Sequence, residues 1–190
     1  MSKPTKFAHV VYRTRRFEQM VKWYLDVFEA HVQFNNGALA FLTYDDEHHR
    51  VALANLDALA PGGPAPQHPT TATIDHVAYT FPSLTALLEH HERLQRLGIA
   101  PYWAIHHGIT VSLYYGDPDG NQMEFQVDCL GSTAAANAYM HGPDFAANPI
   151  GVEFDPHAML TALRAAAPEQ AFAARPPGPI SPIRSALHLR

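Results

Sequence analysis

The chain has 190 residues, 47% of them hydrophobic, enough for one large domain or two small modules sharing a core. Thirteen Lys and Arg against 18 Asp and Glu give a net charge of −5 with no basic cluster, which argues against nucleic acid as a partner. Cys129 stands alone, which excludes an internal disulfide, and neither an apolar leader nor a membrane-length apolar window is present, so a soluble, cytoplasmic protein with no membrane partner is expected.

The first predicted element is a strand over residues 7–12, carrying His9 in Lys6-Phe7-Ala8-His9-Val10-Val11-Tyr12. Phe17, Met20, Val21, Tyr24 and Phe28 then recur at the spacing of one helical face. Strands follow near 32–34, 39–44 and 50–56. Residues 59–73 read as a linker, because Leu59-Ala60-Pro61-Gly62-Gly63-Pro64-Ala65-Pro66 is built from turn formers. The pattern then starts again. A strand over 74–79 holds His76 in Ile74-Asp75-His76-Val77-Ala78-Tyr79, and a helix capped by Ser83 presents Leu84, Leu87, Leu88, Leu94 and Leu97 before Gly98 ends it. Strands over 101–105, 110–115 and 122–127 complete the second copy, and the last of them holds Glu124.

This internal repeat predicts an α+β fold: βαβββ modules at 1–58 and 74–130, paired so that their sheets form a shared open-barrel cleft. Residues 131–190 are expected to be an irregular C-terminal extension. Within it, 146–154 reads as extended, Asp155-Pro156 as a helix start ahead of Met159, Leu160 and Leu163, and 175–182 as too proline-rich for a regular element.

His9, His76 and Glu124 carry the chemistry. A lone strand histidine or glutamate is more often a core or surface residue than a ligand. Here two histidines occupy matching first strands and the glutamate a last strand. Two neutral imidazoles and one carboxylate on one face of a divalent metal leave the opposite face open, as non-haem Fe(II) oxygenases require. Asp117-Pro118-Asp119-Gly120 is by itself only a good turn. Its value lies in delivering Glu124 four residues after Gly120.

The paired modules, the His-Val-Val-Tyr and Asp-His-Val-Ala-Tyr openings and the run from Tyr114 to Glu124 resemble the vicinal oxygen chelate superfamily. Within it, the chain is similar to the type I extradiol ring-cleavage dioxygenases over residues 6–129, although the commoner members have four modules and this chain has two. The resemblance implies Fe(II), or alternatively Mn(II), held by His9, His76 and Glu124. It also implies a small catechol-type aromatic diol and O2 as substrates. Three further residues match family roles. His107, in His106-His107-Gly108-Ile109-Thr110, corresponds to an acid–base histidine, with His106 its competitor because the stretch before Tyr114 is slightly short. Tyr114, ten residues before Glu124, corresponds to a tyrosine that hydrogen-bonds the substrate. His49, in His48-His49-Arg50, corresponds to a pocket histidine contacting substrate and oxygen. The plainer alternatives are a strand-end loop, a core aromatic and a solvated turn after Asp45-Asp46-Glu47. By the same analogy a homo-oligomer is expected.

Two other classes compete. A glyoxalase-like isomerase or lyase takes two metal ligands from each module, but the strand Arg50-Val51-Ala52-Leu53-Ala54-Asn55 contains no Glu or His, leaving Asp57 only if the register is off. A metal-free small-molecule-binding protein of the bleomycin-resistance type keeps the fold without the ligands, and the presence of all three counts against it.

Overall fold

The computed structural model describes residues 6–63 and 74–185, so 64–73 of the predicted linker lie outside the described residues. The chain divides into two compact units, one of residues 1–73 with 117–119, the other of 74–116 with 120–190.

The first unit runs β1 (Val10–Thr14), α1 (Phe17–Phe28), β2 (His31–Asn35), β3 (Leu39–Thr43), β4 (Val51–Asn55) and the one-turn helix α2 (Leu56–Leu59). Its open sheet has the order β1-β4-β3-β2, with β1 parallel to β4 and the other pairs antiparallel. The helical apolar stripe closes one face, burying Phe17, Met20, Val21, Trp23, Tyr24 and Val27. β1 begins three residues later than the pattern predicts. The Arg50 guanidinium takes the carbonyls of Phe7 and Ala8 (2.5 and 3.0 Å), so the backbone ladder starts only at Val10 opposite Val51. His9 therefore stands immediately before the strand, not inside it. The Asp-Pro-Asp turn is fastened to this unit: Tyr24 donates to Asp117 Oδ2 (3.2 Å), and Arg16 donates to the Pro118 carbonyl.

The second unit repeats the arrangement with β5 (His76–Thr80), α3 (Leu84–Arg96), β6 (Trp103–His106), β7 (Thr110–Gly116) and β8 (Gln122–Asp128). Its open sheet is ordered β5-β8-β7-β6-β9, the edge strand β9 (Val152–Glu153) coming from the C-terminal segment. Ser83 caps α3 as its sequence predicts, accepting from the Ala86 N–H at 3.1 Å. The Glu169 carboxylate takes two more of the helix's orphan donors, the N–H groups of Leu84 and Thr85 (3.2 and 2.8 Å). Alternation along the strands then divides the sheet. Leu113, Tyr115, Met123 and Phe125 are buried on the α3 side, where His91 Nδ1 meets the Tyr115 hydroxyl at 3.1 Å. Tyr114 and Glu124 face the other way.

The extension is more regular than its composition predicts, with α4 (Thr133–Met140), α5 (Pro143–Ala147), α6 (Pro156–Arg164) and a 3-10 turn at Glu169–Phe172. The stretch read as extended is broken by Asn148, whose Oδ1 accepts from the N–H groups of Ile150 and Gly151 (3.1 and 2.7 Å), so only Val152 and Glu153 reach the sheet. α6 starts where predicted, Asp155 Oδ1 accepting from the N–H groups of His157 and Ala158. The proline-rich stretch has no regular element, yet Ser181 is buried and accepts from Trp103 Nε1 at 2.9 Å. Among the described residues, no helix is long and apolar enough to cross a membrane.

Candidate functional site

The second unit gathers four of the six predicted site residues. β8 lies between β5 and β7, and its register sets Glu124 opposite both Ala78 and Tyr114. His76 is two residues before Ala78 and so shares its face. The result is a buried carboxylate, Glu124 Oε2, 3.1 Å from His76 Nε2. The other ring nitrogen, His76 Nδ1, is held by Asp75 Oδ1 at 2.7 Å. Hydrogen bonding to Glu124 raises the His76 pKa to about 9, against the effect of burial. Burial alone would raise the Glu124 pKa, but bonding led by His76 leaves it below the usual carboxylate range. A brace holds this corner: Tyr102 donates to Gln122 Oε1 (2.9 Å), and Gln122 Nε2 donates to the Asp75 carbonyl (2.9 Å).

Alternation along β6 sends Trp103, Ile105 and then His107 to the Tyr114 side and His106 to the other. Trp103, Ile105 and Tyr114 form a buried cluster against which Tyr102 and Ile150 pack. His107 Nε2 is 3.1 Å from the Tyr114 hydroxyl and 3.8 Å from Glu124 Oε1. Its Nδ1 lies 2.5 Å from the Ile150 carbonyl. A carbonyl can only accept, so the proton sits on Nδ1 and Nε2 is left as an acceptor beside the Tyr114 hydroxyl, whose one proton is shared with the Glu124 carboxylate. Burial lowers the His107 pKa, which favours this neutral form. Burial likewise raises the Tyr114 pKa, keeping the phenol a donor. His106, fully buried, is engaged elsewhere: Nε2 donates to the Phe172 carbonyl (2.9 Å) and Nδ1 accepts from the Gly108 N–H (3.0 Å).

The remaining two predicted residues, His9 and His49, lie in the first unit and are neighbours, with ring centroids 4.3 Å apart. His49 stacks on Phe41 at 4.6 Å, and its Nδ1 is 2.6 Å from His48 Nδ1. Burial first, then the nearby His9 and His48, lowers the His49 pKa. Asp57 is on α2, beyond the end of β4, and pairs with Arg15 at 2.5 Å, so the strand register gives it no place among ligands.

Among the described residues, no three His, Cys, Asp or Glu side chains form a ready-made ligand group. The second unit by itself supplies the pair His76 and Glu124, one imidazole and one carboxylate, and its chemistry fits a divalent ion. A ligating histidine characteristically gives its other ring N–H to a carboxylate that fixes the ring, which is the position of Asp75. Sequence reasoning passed over Asp75, although it directly precedes His76. It also passed over Ile150, which acts through a backbone carbonyl and so carries no signal in residue type.

A model of the glyoxalase/bleomycin resistance protein/dioxygenase superfamily matches residues 6–125. Two proteins of Rhodococcus globerulus are similar over most of the chain. Biphenyl-2,3-diol 1,2-dioxygenase 2 is 48% identical over 168 residues, 88% of this chain and 86% of that protein. Biphenyl-2,3-diol 1,2-dioxygenase 3 is 41% identical over 176 residues, 92% of this chain and 90% of that protein. Among solved structures, a glyoxalase/bleomycin resistance protein/dioxygenase from Nocardioides matches with a TM-score of 0.54 at 23% identity, over 70% of this chain and 88% of that one. Lactoylglutathione lyase from Agrobacterium tumefaciens matches with a TM-score of 0.51 at 16% identity, over 66% and 96%. At such identities these two structures bear on the fold alone.

Proposed function

The chain belongs to the glyoxalase/bleomycin resistance protein/dioxygenase superfamily, and from that membership we propose that it is an extradiol dioxygenase that opens a catechol-type ring with O2. The observation that carries this is the 48% identity to biphenyl-2,3-diol 1,2-dioxygenase 2 over 88% of the chain. Biphenyl-2,3-diol is accordingly the first substrate to try. The proposed metal is Fe(II), held by His9, His76 and Glu124, with Mn(II) as the alternative. When bound, it would supply a Lewis-acidic, redox-active centre with open positions for a diol and O2.

The protein's own groups have distinct tasks. Neutral His107, protonated on Nδ1, presents Nε2 as the acceptor for a diol proton. The Tyr114 hydroxyl, bonded to the Glu124 carboxylate and in contact with Nε2, steadies both groups until the substrate hydroxyl arrives. Trp103, Tyr102 and Ile150 form an apolar wall suited to an aromatic ring. His49 is assigned to the substrate and oxygen, on the strength of its position beside His9. Cytoplasmic location and homo-oligomeric assembly are part of the same proposal.

Reconstitution with Fe(II) under argon, followed by an oxygen-electrode panel of catechol, biphenyl-2,3-diol and hydroquinone, tests the reading. Uptake is expected with the two vicinal diols, only after iron loading, and not with hydroquinone. Loaded protein that consumes no oxygen with any vicinal diol would remove the assignment.

A further inference from the structure

The Nδ1 side of His107 is held by the C-terminal extension, which adds to what the sheet that carries it provides. We propose that Arg175 and Asn148 are positioning residues, which hold the 148–151 loop against the His107 turn and so fix the imidazole as the Nδ1–H tautomer with Nε2 toward Tyr114 and Glu124. The inference rests on the proposed acid–base role of His107.

The extension meets the turn at several separate points. The Ile150 carbonyl accepts from His107 Nδ1, and that carbonyl is aimed by Asn148. Asn148 is buried, its Oδ1 accepting from the N–H groups of Ile150 and Gly151 and its Nδ2 donating to the Gly151 carbonyl at 3.1 Å. All of its side-chain bonds therefore shape one loop. Gly151, at φ +130°, lets this loop pass against the strand, since a Cβ there would stand 2.6 Å from the His106 carbonyl. Arg175 then bolts the two sides together. Nη1 donates to the Asn148 carbonyl (2.6 Å) and, at 3.4 Å, to the His107 carbonyl, while Nη2 donates to the Asp144 carbonyl (2.9 Å). Tyr139 of α4 packs on Gly108, and the Phe172 carbonyl holds His106.

The consequence is chemical. An imidazole without a fixed partner at Nδ1 shares its proton between the two nitrogens, and the Nε2–H form cannot accept a proton at Nε2. Fixing the tautomer keeps every molecule competent as a base. The distribution of the extension agrees with such a role. The superfamily match ends at residue 125, whereas the dioxygenase matches cover 88% and 92% of the chain, too much to leave out residues 131–190.

The test uses the full-length chain with nitrogen-labelled histidine, the His107 signals being identified by their loss in His107→Phe. Arg175→Met is expected to lower kcat roughly 10- to 100-fold, the usual cost of losing an outer-shell orienting partner, with KM for biphenyl-2,3-diol and iron content close to wild type. In the metal-free spectrum the His107 pattern should move from Nδ1–H toward a mixture. Arg175→Lys should recover most of kcat, since an ammonium can still donate to carbonyls of this set, which Met cannot. Arg164→Ala, which removes a contact to Glu92 on α3 and touches none of these groups, should change neither readout. An unchanged His107 spectrum in Arg175→Met, or a loss of kcat matched by loss of iron, would overturn the proposal. Should Arg175→Met fail to fold, Asn148→Asp carries the same test, keeping the acceptors and losing the Nδ2 donor. If wild-type protein opens no diol, the functional reading falls, and the histidine spectrum still decides the positioning claim.

Discussion

At Nε2 of His107 two requirements meet: a lone pair for the substrate proton and a donor to hold the ring until substrate arrives. The Ile150 carbonyl meets the first by keeping the proton on Nδ1, and the Tyr114 hydroxyl, shared with Glu124, meets the second. His107→Phe should retain iron and still bind a diol but turn over more slowly by about 10² to 10⁴, the usual worth of a positioned acid–base group. Rapid-mixing kinetics on iron-loaded protein would check this; an undiminished rate would move the role elsewhere, with His49 next in line. Strand alternation alone suggests that His106→Phe is nearly silent, because its side chain points away from the site. That expectation concerns turnover; the cost of the substitution falls on stability instead, since it strands the buried Gly108 N–H and the part-buried Phe172 carbonyl. Thermal melts should show His106→Phe destabilised by roughly 1–3 kcal/mol. By contrast, His76→Ala and Glu124→Ala should fold, because the apolar core packed against α3 lies on the opposite sheet face, yet lose most bound metal. Full metal occupancy in both would remove the ligand assignment. The meeting of His76, Glu124, Tyr114 and His107 was legible in the sequence because neighbouring strands and a four-residue turn fix their register. What escaped was every contribution made by backbone or by distant chain. The Ile150 carbonyl has no residue signature, Arg175 sits in a stretch that composition marks as irregular, and the late start of β1 depends on one Arg50 side chain.

An ion-pair network ties α3 to α6 in the second unit. Glu92 on α3 receives both Nη1 and Nη2 of Arg164 on α6 (2.7 and 3.0 Å) and also pairs with Arg96. Hydrogen bonding from Arg164, then Arg96, lowers the Glu92 pKa to about 2. A carboxylate whose folded pKa is depressed contributes stability that is complete above its unfolded pKa and is lost as pH falls through the folded one. The stabilising effect of Arg164 should therefore be present at pH 7, shrink below the ordinary carboxylate range of about 4.5 and vanish near pH 2. The melting difference between wild type and Arg164→Ala, followed across pH, checks this. Because the pair is solvent-exposed and screened, the difference should be small and should fall with added salt. A difference that grows as pH falls would reverse the sign and contradict it. The β6–β7 turn offers a sharper effect. Gly108 has φ +97° and a Cβ there would sit 2.4 Å from the Tyr139 hydroxyl, so Gly108→Ala must both strain the backbone and displace the Tyr139 ring. Loss of 1–3 kcal/mol is the rough expectation from the backbone alone.

For the molecule as a whole, two copies of one βαβββ pattern supply the sheets, and the C-terminal extension supplies the groups that orient the proposed acid–base residue. The repeat was legible because hydrophobic period changes from helix to strand in the same order twice. The extension's order was not, because α4, α5 and β9 are short and depend on contacts with β6 and the His107 turn. Light scattering should find a homodimer or larger assembly, and a monomer at working concentration would count against that part of the account. The central claim concerns chemistry, and the mass of the product reads it most directly. Iron-loaded protein given biphenyl-2,3-diol and O2 should yield a ring-opened product whose mass equals that of the diol plus one O2, formed one for one with the oxygen consumed. A product formed without oxygen, or a diol recovered unchanged while bound stoichiometrically, would contradict the dioxygenase assignment and point to an isomerase or a binding protein.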